Sequence, residues 1–317
     1  MLIEILLIIG GLVLLVFGGD WLLKAAVGFS LKLQIPKIII GMTVVSFATS
    51  APELIVSIKS ALSGHADLAL GNVVGSNIAN IGLVLGITIC LSTMQIQESF
   101  YKVDWPVMMF ASILLYLFLA FDGDIEEYEG ILLFVLLIVF LVYLLRFQKT
   151  AVVDESVNED EHLPMYKYLI YMVLGAVALW GGSELLIEGS VDLASGLGVS
   201  TRVIGISIVS VGTSIPELAA SIIAVLKKEK AISLGNLLGS NIFNILAVLG
   251  ITSMIQPLEV TDPGLLSNDI YWMLGMAFIV LLLVFVPQRM RLGWKEGIIL
   301  LGLYTIFIVK MVFLAEV

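Results

Sequence analysis

Two glutamates, Glu53 and Glu217, interrupt long apolar stretches of the chain, and each directly follows a proline. A charged side chain at the centre of a membrane-spanning helix costs about 2.5–3.5 kcal/mol on insertion scales. Binding of a cation would offset that cost, whereas a packing role does not explain why the same context occurs twice. The two carboxylates therefore predict a cation site.

Polar side chains recur around each glutamate at steps of three and four residues, which places them on one face of a helix. They are hydroxyl residues: Ser46, Thr49, Ser50 and Ser57 around Glu53, and Ser210, Thr213, Ser214 and Ser221 around Glu217. Two further stripes run at four-residue steps through Asn72, Ser76 and Asn80, and through Asn236, Ser240 and Asn244. Because polar stripes are unfavourable against lipid, we expect all four to face one another around a central site.

The prolines beside the glutamates, Pro52 and Pro216, are expected to break their helices. Proline has no N–H and crowds the carbonyl four residues earlier, which here belongs to Ala48 or Gly212. A broken helix that lines a cavity can present such backbone oxygens to a cation.

Oxygen is the only ligand type that these stripes offer. The two histidines, His65 and His162, fall in joints between apolar stretches, which disfavours a zinc or copper site. Calcium takes about six to eight oxygen ligands, and two carboxylates with several carbonyls approach that number. Neutral oxygens also suit Na+, so one cavity could hold either a divalent ion or several monovalent ions.

The composition shows what surrounds these residues. Hydrophobic residues make up 60% of the 317-residue chain, charged residues make up 13%, and the mean hydropathy is +1.09. A soluble core cannot hide so much apolar surface, and a membrane span needs about 20 mostly apolar residues. The sequence predicts ten such spans, near 2–24, 37–62, 68–92, 104–121, 128–147, 166–194, 202–226, 231–255, 269–286 and 294–314.

An internal repeat organises these spans. Residues 41–88 align without a gap with residues 205–252, at an offset of 164, and 25 of the 48 pairs are identical. Because five spans separate the copies, the second copy enters the membrane from the opposite side, as in many secondary transporters. The predicted fold is therefore an all-α integral membrane protein of ten transmembrane helices, built as two inverted five-helix repeats at 1–147 and 166–317.

The positive charges predict the orientation in the membrane. If the first span runs from outside to inside, thirteen Lys and Arg residues lie on the inner side and three on the outer side. By the positive-inside rule, both termini lie on the outer side of the cell membrane, and the linker at 148–165 is cytoplasmic.

The two hexapeptides at 48–53 and 212–217, each followed by Gly-Ser-Asn-Ile at 75–78 and 239–242, resemble the repeat signatures of one transporter group. That group is the Ca2+/cation antiporter superfamily, in particular its prokaryotic Na+/Ca2+ exchanger branch. The resemblance extends over the whole chain. It implies alternating-access exchange in which Na+ entry drives Ca2+ extrusion. The partners would be the two ions and the lipid bilayer, with no cofactor, nucleic acid or obligatory protein partner.

The resemblance also implies a site, residue by residue. The Ca2+ ligands would be the carboxylates of Glu53 and Glu217 with the backbone carbonyls of Thr49 and Thr213. The Na+ ligands would be the same glutamates with Ser46, Ser50, Ser76, Ser210, Ser214 and Ser240. Asn80 and Asn244 would line the centre. K+-dependent relatives have an aspartate where Asn244 stands, so K+ co-transport is disfavoured here.

Two other functions remain open from the residues alone. A Ca2+/H+ antiporter on the same fold would use Glu53 and Glu217 as proton carriers, although the many neutral oxygens beside them favour Na+. A cation channel could also use an acid-lined pore, but the inverted repeat with broken helices favours a transporter. An intramembrane enzyme is unsupported, because the sequence shows no His or Cys cluster.

Overall fold

The computed structural model describes residues 2–147, 163–197, 210–286 and 290–314. Within these ranges the chain is almost entirely helical, as expected for apolar segments whose backbone groups must all be satisfied internally. The helical segments are, in order, α1 (Leu2–Leu33), α2 (Lys37–Thr49), α3 (Ala51–Leu62), α4 (Ala66–Leu91), α5 (Phe100–Phe121), α6 (Glu127–Phe147), α7 (Met165–Gly196), α8 (Ser210–Gly212), α9 (Ile215–Leu226), α10 (Lys230–Ile255), α11 (Leu265–Phe285) and α12 (Trp294–Leu314).

The helices follow the apolar runs of the sequence closely. Among the described residues, seven helices are long and apolar enough to cross a membrane, and the bent pair α2 and α3 brings the number to eight. The predicted span at 202–226 is described only from residue 210 onward, and most of the predicted linker at 148–165 also lies outside the described residues.

Both predicted break points lie where a helix stops and restarts. Ser50, with φ −89° and ψ 2°, separates α2 from α3, and Ser214, with φ −88° and ψ 3°, separates α8 from α9. The axes of α2 and α3 differ by 43°. A proline stands in the first turn of each new helix, where its missing N–H has no intrahelical partner to lose.

Two short antiparallel strand pairs depart from the all-helical expectation. Strand β1 (Met94–Gln95) pairs with β4 (Arg291–Leu292), and β2 (Asp124–Ile125) pairs with β3 (Leu258–Glu259). Two-residue strands carry too little periodicity to be read from a sequence, and their partners lie far away along the chain.

Contacts divide the chain into two compact units that do not coincide with the two sequence repeats. The first unit comprises Met1–Thr49 and Val139–Gly239, and the second comprises Ser50–Ile138 and Ser240–Val317. Each unit therefore contains segments of both copies.

In the first unit, α1 and α7 pack closely in antiparallel directions. A Cβ atom on Gly11 would lie 2.7 Å from the carbonyl oxygen of Gly182, and one on Gly18 would lie 3.0 Å from that of Gly175. Only glycine allows the two backbones to approach so closely, and small residues commonly serve this purpose between membrane helices. These two helices open the two sequence repeats, so their opposite directions agree with an inverted repeat.

The second unit contains two equivalent helix contacts, and each joins a helix of one sequence copy to a helix of the other. A Cβ atom on Gly86 of α4 would lie 3.3 Å from the carbonyl oxygen of Gly297 in α12. Likewise, one on Gly250 of α10 would lie 3.2 Å from the carbonyl oxygen of Gly130 in α6. The paired strands follow the same rule, because β1–β4 and β2–β3 each join one strand from either copy.

Large apolar side chains are exposed on several helices. Along α6, Ile138, Val139 and Val142 are each about half exposed, with relative exposures of 45%, 58% and 45%. Polar residues of the repeat motifs are instead buried. This distribution suits a protein whose outer surface contacts lipid rather than water.

Candidate cation site

The helix breaks place both glutamates in the first turn of a new helix. Glu53 lies in the first turn of α3 and Glu217 in the first turn of α9, and both side chains are 0% exposed. The N-terminus of a helix carries a partial positive charge, so its first turn is a favourable place for an acidic side chain. Each break thus places one acidic side chain in the interior of the protein, at the start of a helix.

In the first unit, Asn236 on α10 is the centre of a hydrogen-bonded cluster. The Thr49 hydroxyl donates to Asn236 Oδ1 at 3.2 Å, and the Ser46 hydroxyl lies 3.0 Å from the Asn236 carbonyl oxygen. Asn236 Nδ2 in turn donates to Ser221 Oγ at 3.3 Å. We call Ser46, Thr49, Ser221 and Asn236 the Asn236 cluster; its side chains are at most 1% exposed.

The Asn236 cluster ties the end of α2 to the helix that carries Glu217. Ser221 lies one turn beyond Glu217 on α9, so its bond to Asn236 fixes the rotation of that helix. Thr49 is the last residue of α2, so its bond to Asn236 fixes the backbone directly before the first break.

Glycines allow α10 to lie directly against α2. A Cβ atom on Gly239 would lie 2.3 Å from Ser46 Oγ, and one on Gly235 would lie 2.2 Å from the Ile38 carbonyl oxygen. This close packing brings Asn236 within reach of the hydroxyls on α2.

The second break is held by a serine from another helix. Pro216 has no N–H to donate to the Gly212 carbonyl, and the Ser183 hydroxyl of α7 donates to that oxygen at 2.8 Å. The freed carbonyl at Gly212 is therefore satisfied by the protein itself.

In the second unit, Asn72 is the counterpart of Asn236 in the sequence repeat. Asn72 Nδ2 donates to Ser57 Oγ at 3.1 Å and lies 3.4 Å from the Glu53 carbonyl oxygen. The Asn72–Ser57 bond has the same place in the first copy as the Asn236–Ser221 bond has in the second. Each glutamate-bearing helix is thus anchored one turn beyond its glutamate.

The second unit also contains a reciprocal pair of asparagines at equivalent positions of the two copies. Asn77 Nδ2 donates to the Asn241 backbone carbonyl at 3.2 Å, and Asn241 Nδ2 donates to the Asn77 carbonyl at 3.4 Å. Their side-chain oxygens then accept from two further amides, those of Asn244 at 3.0 Å and Asn80 at 3.1 Å. We call these four residues the asparagine clasp.

Two amide oxygens of the asparagine clasp take no part in its hydrogen bonds. Asn80 Oδ1 and Asn244 Oδ1 are buried and, among the described residues, accept no hydrogen bond. A short π-helical segment begins at each of these two asparagines, Asn80–Leu85 and Asn244–Leu249. Such wide turns often mark functional positions in helices.

Most residues of the predicted site are buried in the structure. Within the first unit, the Asn236 cluster brings Ser46 and Thr49 together, and Glu217 and Ser214 are also buried, while Thr213 is half-buried. Within the second unit the buried residues are Ser50, Glu53, Ser76, Asn80, Ser240 and Asn244. The side chain of Ser210 lies outside the described part of the structure.

The sequence indicated no role for several residues that make defined contacts in the structure. Asn77 and Asn241 stood out only as part of the repeated Gly-Ser-Asn-Ile stretch, and Ser183 carried no sequence signal. The sequence signal for the clasp was that an asparagine occurs at equivalent positions of two apolar spans. Asp20 of α1 pairs with Lys24 at 2.9 Å and with Lys227 at 3.0 Å.

In each unit a buried carboxylate is accompanied by buried hydroxyl and amide side chains. Oxygens of these types are the ligands that Ca2+ and other hard cations prefer. Their burial excludes bulk water, so a bound cation would have to exchange its hydration shell for protein oxygens.

Comparison with known families gives a match over most of the chain. The family model described as sodium/calcium exchanger protein matches residues 3–146 and 167–313. These two segments include both repeat motifs and both glutamates.

Similar proteins cover the chain from end to end. The putative antiporter CaxA of Alkalimonas amylolytica is 38% identical, over 95% of this chain and 96% of the relative. The sodium/calcium exchanger MaX1 of Methanosarcina acetivorans is 30% identical, over 98% of this chain and 99% of the relative. The solved structure of the sodium-calcium exchanger NCX_Mj, soaked with Na+ and Sr2+, has a TM-score of 0.82 at 27% identity and covers 98% of both chains.

Proposed function

The chain belongs to the sodium/calcium exchanger family, and we propose that it is a secondary active antiporter that exchanges Na+ for Ca2+ by alternating access. One observation carries the proposal: each of two proline-broken helices begins with a fully buried glutamate. Both glutamates lie among neutral oxygens, and burial of two carboxylates is explained if cations neutralise them during transport.

We assign the divalent ion to the strongest oxygen ligands. Glu53 and Glu217 supply the carboxylates, and Thr49 and Thr213 supply backbone carbonyls. The hydrogen bond from the Thr49 hydroxyl to Asn236 supports this assignment, because it holds the end of α2, to which the proposed carbonyl ligand belongs. Ca2+ accepts such mixed carboxylate and carbonyl ligands in flexible geometry.

Na+ would use the same glutamates together with neutral oxygens. The proposed ligands are Ser46, Ser50, Ser76, Ser210, Ser214 and Ser240, with Asn80 and Asn244 at the centre. Because the two ions share the carboxylates, Ca2+ and Na+ compete, and that competition couples the two fluxes. Because Na+ and Ca2+ cannot occupy the shared site together, the protein exchanges the two ions instead of transporting each independently.

The net reaction in the cell is proposed to be Ca2+ extrusion driven by Na+ entry. The cell membrane is the proposed location, with both termini outside, because Lys and Arg residues concentrate on the opposite side. Attachment of a membrane-impermeant maleimide tests the orientation. In a Cys90→Ser background, Ser156→Cys in the linker should react only after permeabilisation, and Glu126→Cys should react in intact cells.

The function is tested by 45Ca2+ uptake into proteoliposomes that are loaded with Na+ and diluted into Na+-free buffer at constant pH. We expect uptake that requires the outward Na+ gradient and stops when a sodium ionophore dissipates it. Uptake that ignores Na+ but follows an imposed pH gradient would replace the proposal with Ca2+/H+ antiport. Uptake that continues without any counter-ion gradient would indicate a channel.

A further inference from the structure

We propose that Asn77 and Asn241 are positioning residues that turn the amide oxygens of Asn80 and Asn244 toward the transported cation. The inference rests on the proposed function and adds two residues to it. It follows from the hydrogen bonds of the asparagine clasp, all of which lie within the second unit.

The orientation of each amide in the clasp is determined by its partners. A backbone carbonyl can only accept, so the groups facing the carbonyls of Asn241 and Asn77 must be the NH2 groups of Asn77 and Asn241. Their side-chain oxygens therefore point the other way. An oxygen requires a donor opposite it, and the partners at 3.0 Å and 3.1 Å are the NH2 groups of Asn244 and Asn80.

These hydrogen bonds determine which side-chain atoms of Asn80 and Asn244 remain outside the clasp. Because the NH2 group of each amide donates to the clasp, Asn80 and Asn244 turn their Oδ1 atoms away from it, and these oxygens accept no hydrogen bond from the described residues. Both side chains are at most 1% exposed, so water on the protein surface does not satisfy these oxygens. A buried carbonyl without a donor is unfavourable, and a cation is a partner that would satisfy it.

The reverse orientation would be harmful to cation binding. If the amide of Asn80 or Asn244 rotated by half a turn, its NH2 group would replace the oxygen. The positive end of the amide dipole would then face the ion. The asparagine clasp prevents this rotation because it would place two NH2 groups, or two oxygens, against each other.

The clasp also explains why the same residue type occurs at equivalent places in both copies. Asn77 orients Asn244 from the other copy, and Asn241 orients Asn80. Each copy therefore fixes the ligand of its counterpart, and neither can be oriented alone.

A double-mutant cycle on Ca2+ binding tests the proposal. The dissociation constant is measured with 45Ca2+ on purified wild type, Asn77→Ala, Asn244→Ala and the double variant. The Ca2+-induced rise in Tm serves as a second readout for any variant of reduced stability. Because Asn77 acts through Asn244, we expect each single change to weaken binding about threefold or more, and the double change to weaken it no further than Asn244→Ala alone.

The matched control combines Asn72→Ala with Asn244→Ala, because Asn72 is another amide of the same span that does not contact Asn244. For this pair, the factor by which the double change weakens Ca2+ binding should equal the product of the factors for the two single changes. Multiplied losses for the Asn77 pair, or unchanged binding in Asn77→Ala, would overturn the inference while leaving the exchange function intact. A wild-type protein that binds neither Ca2+ nor Na+ would overturn both.

Discussion

The hydroxyl of Ser183 lies 2.8 Å from the carbonyl oxygen of Gly212 and donates a hydrogen bond to it. That carbonyl lost its helical partner because Pro216 has no N–H, so a side chain of α7 replaces a main-chain bond at the break before Glu217. A Cβ atom on Gly212 would lie 2.4 Å from Cδ1 of Ile187, which also belongs to α7, so α7 passes close to the break.

Ser183→Ala should therefore destabilise the protein. Loss of the hydroxyl leaves a buried carbonyl without a donor, which costs about 1–3 kcal/mol of unfolding free energy. Thermal unfolding in detergent measures the effect. Ser195→Ala is the control, because Ser195 is an exposed serine near the end of the same helix. Equal Tm values for the two variants would show that the Ser183 bond contributes no stability.

Thr49→Val should raise the KM for Ca2+ and leave the maximal rate nearly unchanged. The substitution keeps the proposed carbonyl ligand and the size of the side chain, but it removes the bond to Asn236. A hydrogen bond contributes about 0.5–1.5 kcal/mol net, which corresponds to roughly a twofold to tenfold change in affinity. Concentration dependence of 45Ca2+ uptake gives both constants.

Thr43→Val is the matched control for this change. Its hydroxyl donates to the Ile39 carbonyl within the same helix at 2.7 Å and makes no contact with Asn236. If both valine variants had the same KM, the Asn236 cluster would have no role in positioning the ligand.

Pro52→Ala should slow exchange about tenfold or more without lowering thermal stability. An alanine at this position supplies an N–H to the Ala48 carbonyl and favours a continuous helix over the present bend of 43°. Transport rate and Tm are measured on the same preparations. Pro164→Ala, at the start of α7, provides the comparison and should transport normally; a Pro52→Ala protein with the same rate would show that the break is dispensable.

Gly239→Ala should disrupt the protein, whereas Gly302→Ala should be tolerated. The added methyl group at Gly239 would lie 2.3 Å from Ser46 Oγ and 2.6 Å from the Met42 backbone, whereas Gly302 has open space around it. In a helix, alanine is more favourable than glycine by up to about 1 kcal/mol. Yield of folded protein and Tm distinguish the two, and a stable Gly239→Ala variant would contradict the described packing of α10 on α2.

Local patterns were sufficient to predict much of the helical structure and the buried glutamates. Spacing at three and four residues is a property of one helix, so it identified the hydroxyl stripes around Glu53 and Glu217. Apolar length placed the helices, as with α4, predicted at 68–92 and observed at Ala66–Leu91. Proline chemistry indicated where a helix would stop, because it depends on residues only four positions apart.

Contacts between distant segments could not be predicted in this way. The partner of Ser183 lies on another helix, and a single serine in an apolar span has no distinguishing neighbours. The asparagine clasp joins residues 164 positions apart, so the repeat showed that Asn77 and Asn241 correspond but not that they bind each other. Likewise, the two strand pairs depend on long-range pairing of dipeptides.

Na+-gradient-driven 45Ca2+ uptake by the Glu53→Gln and Glu217→Gln variants tests whether these two glutamates bind the transported cations. Glutamine keeps the size of the side chain and removes its charge. Glu98→Gln, an exposed glutamate paired with Lys102, serves as the control. We expect both site variants to lose Na+-dependent uptake and Glu98→Gln to retain it. Uptake at the wild-type rate in either site variant would show that its glutamate is not a ligand of the transported cations.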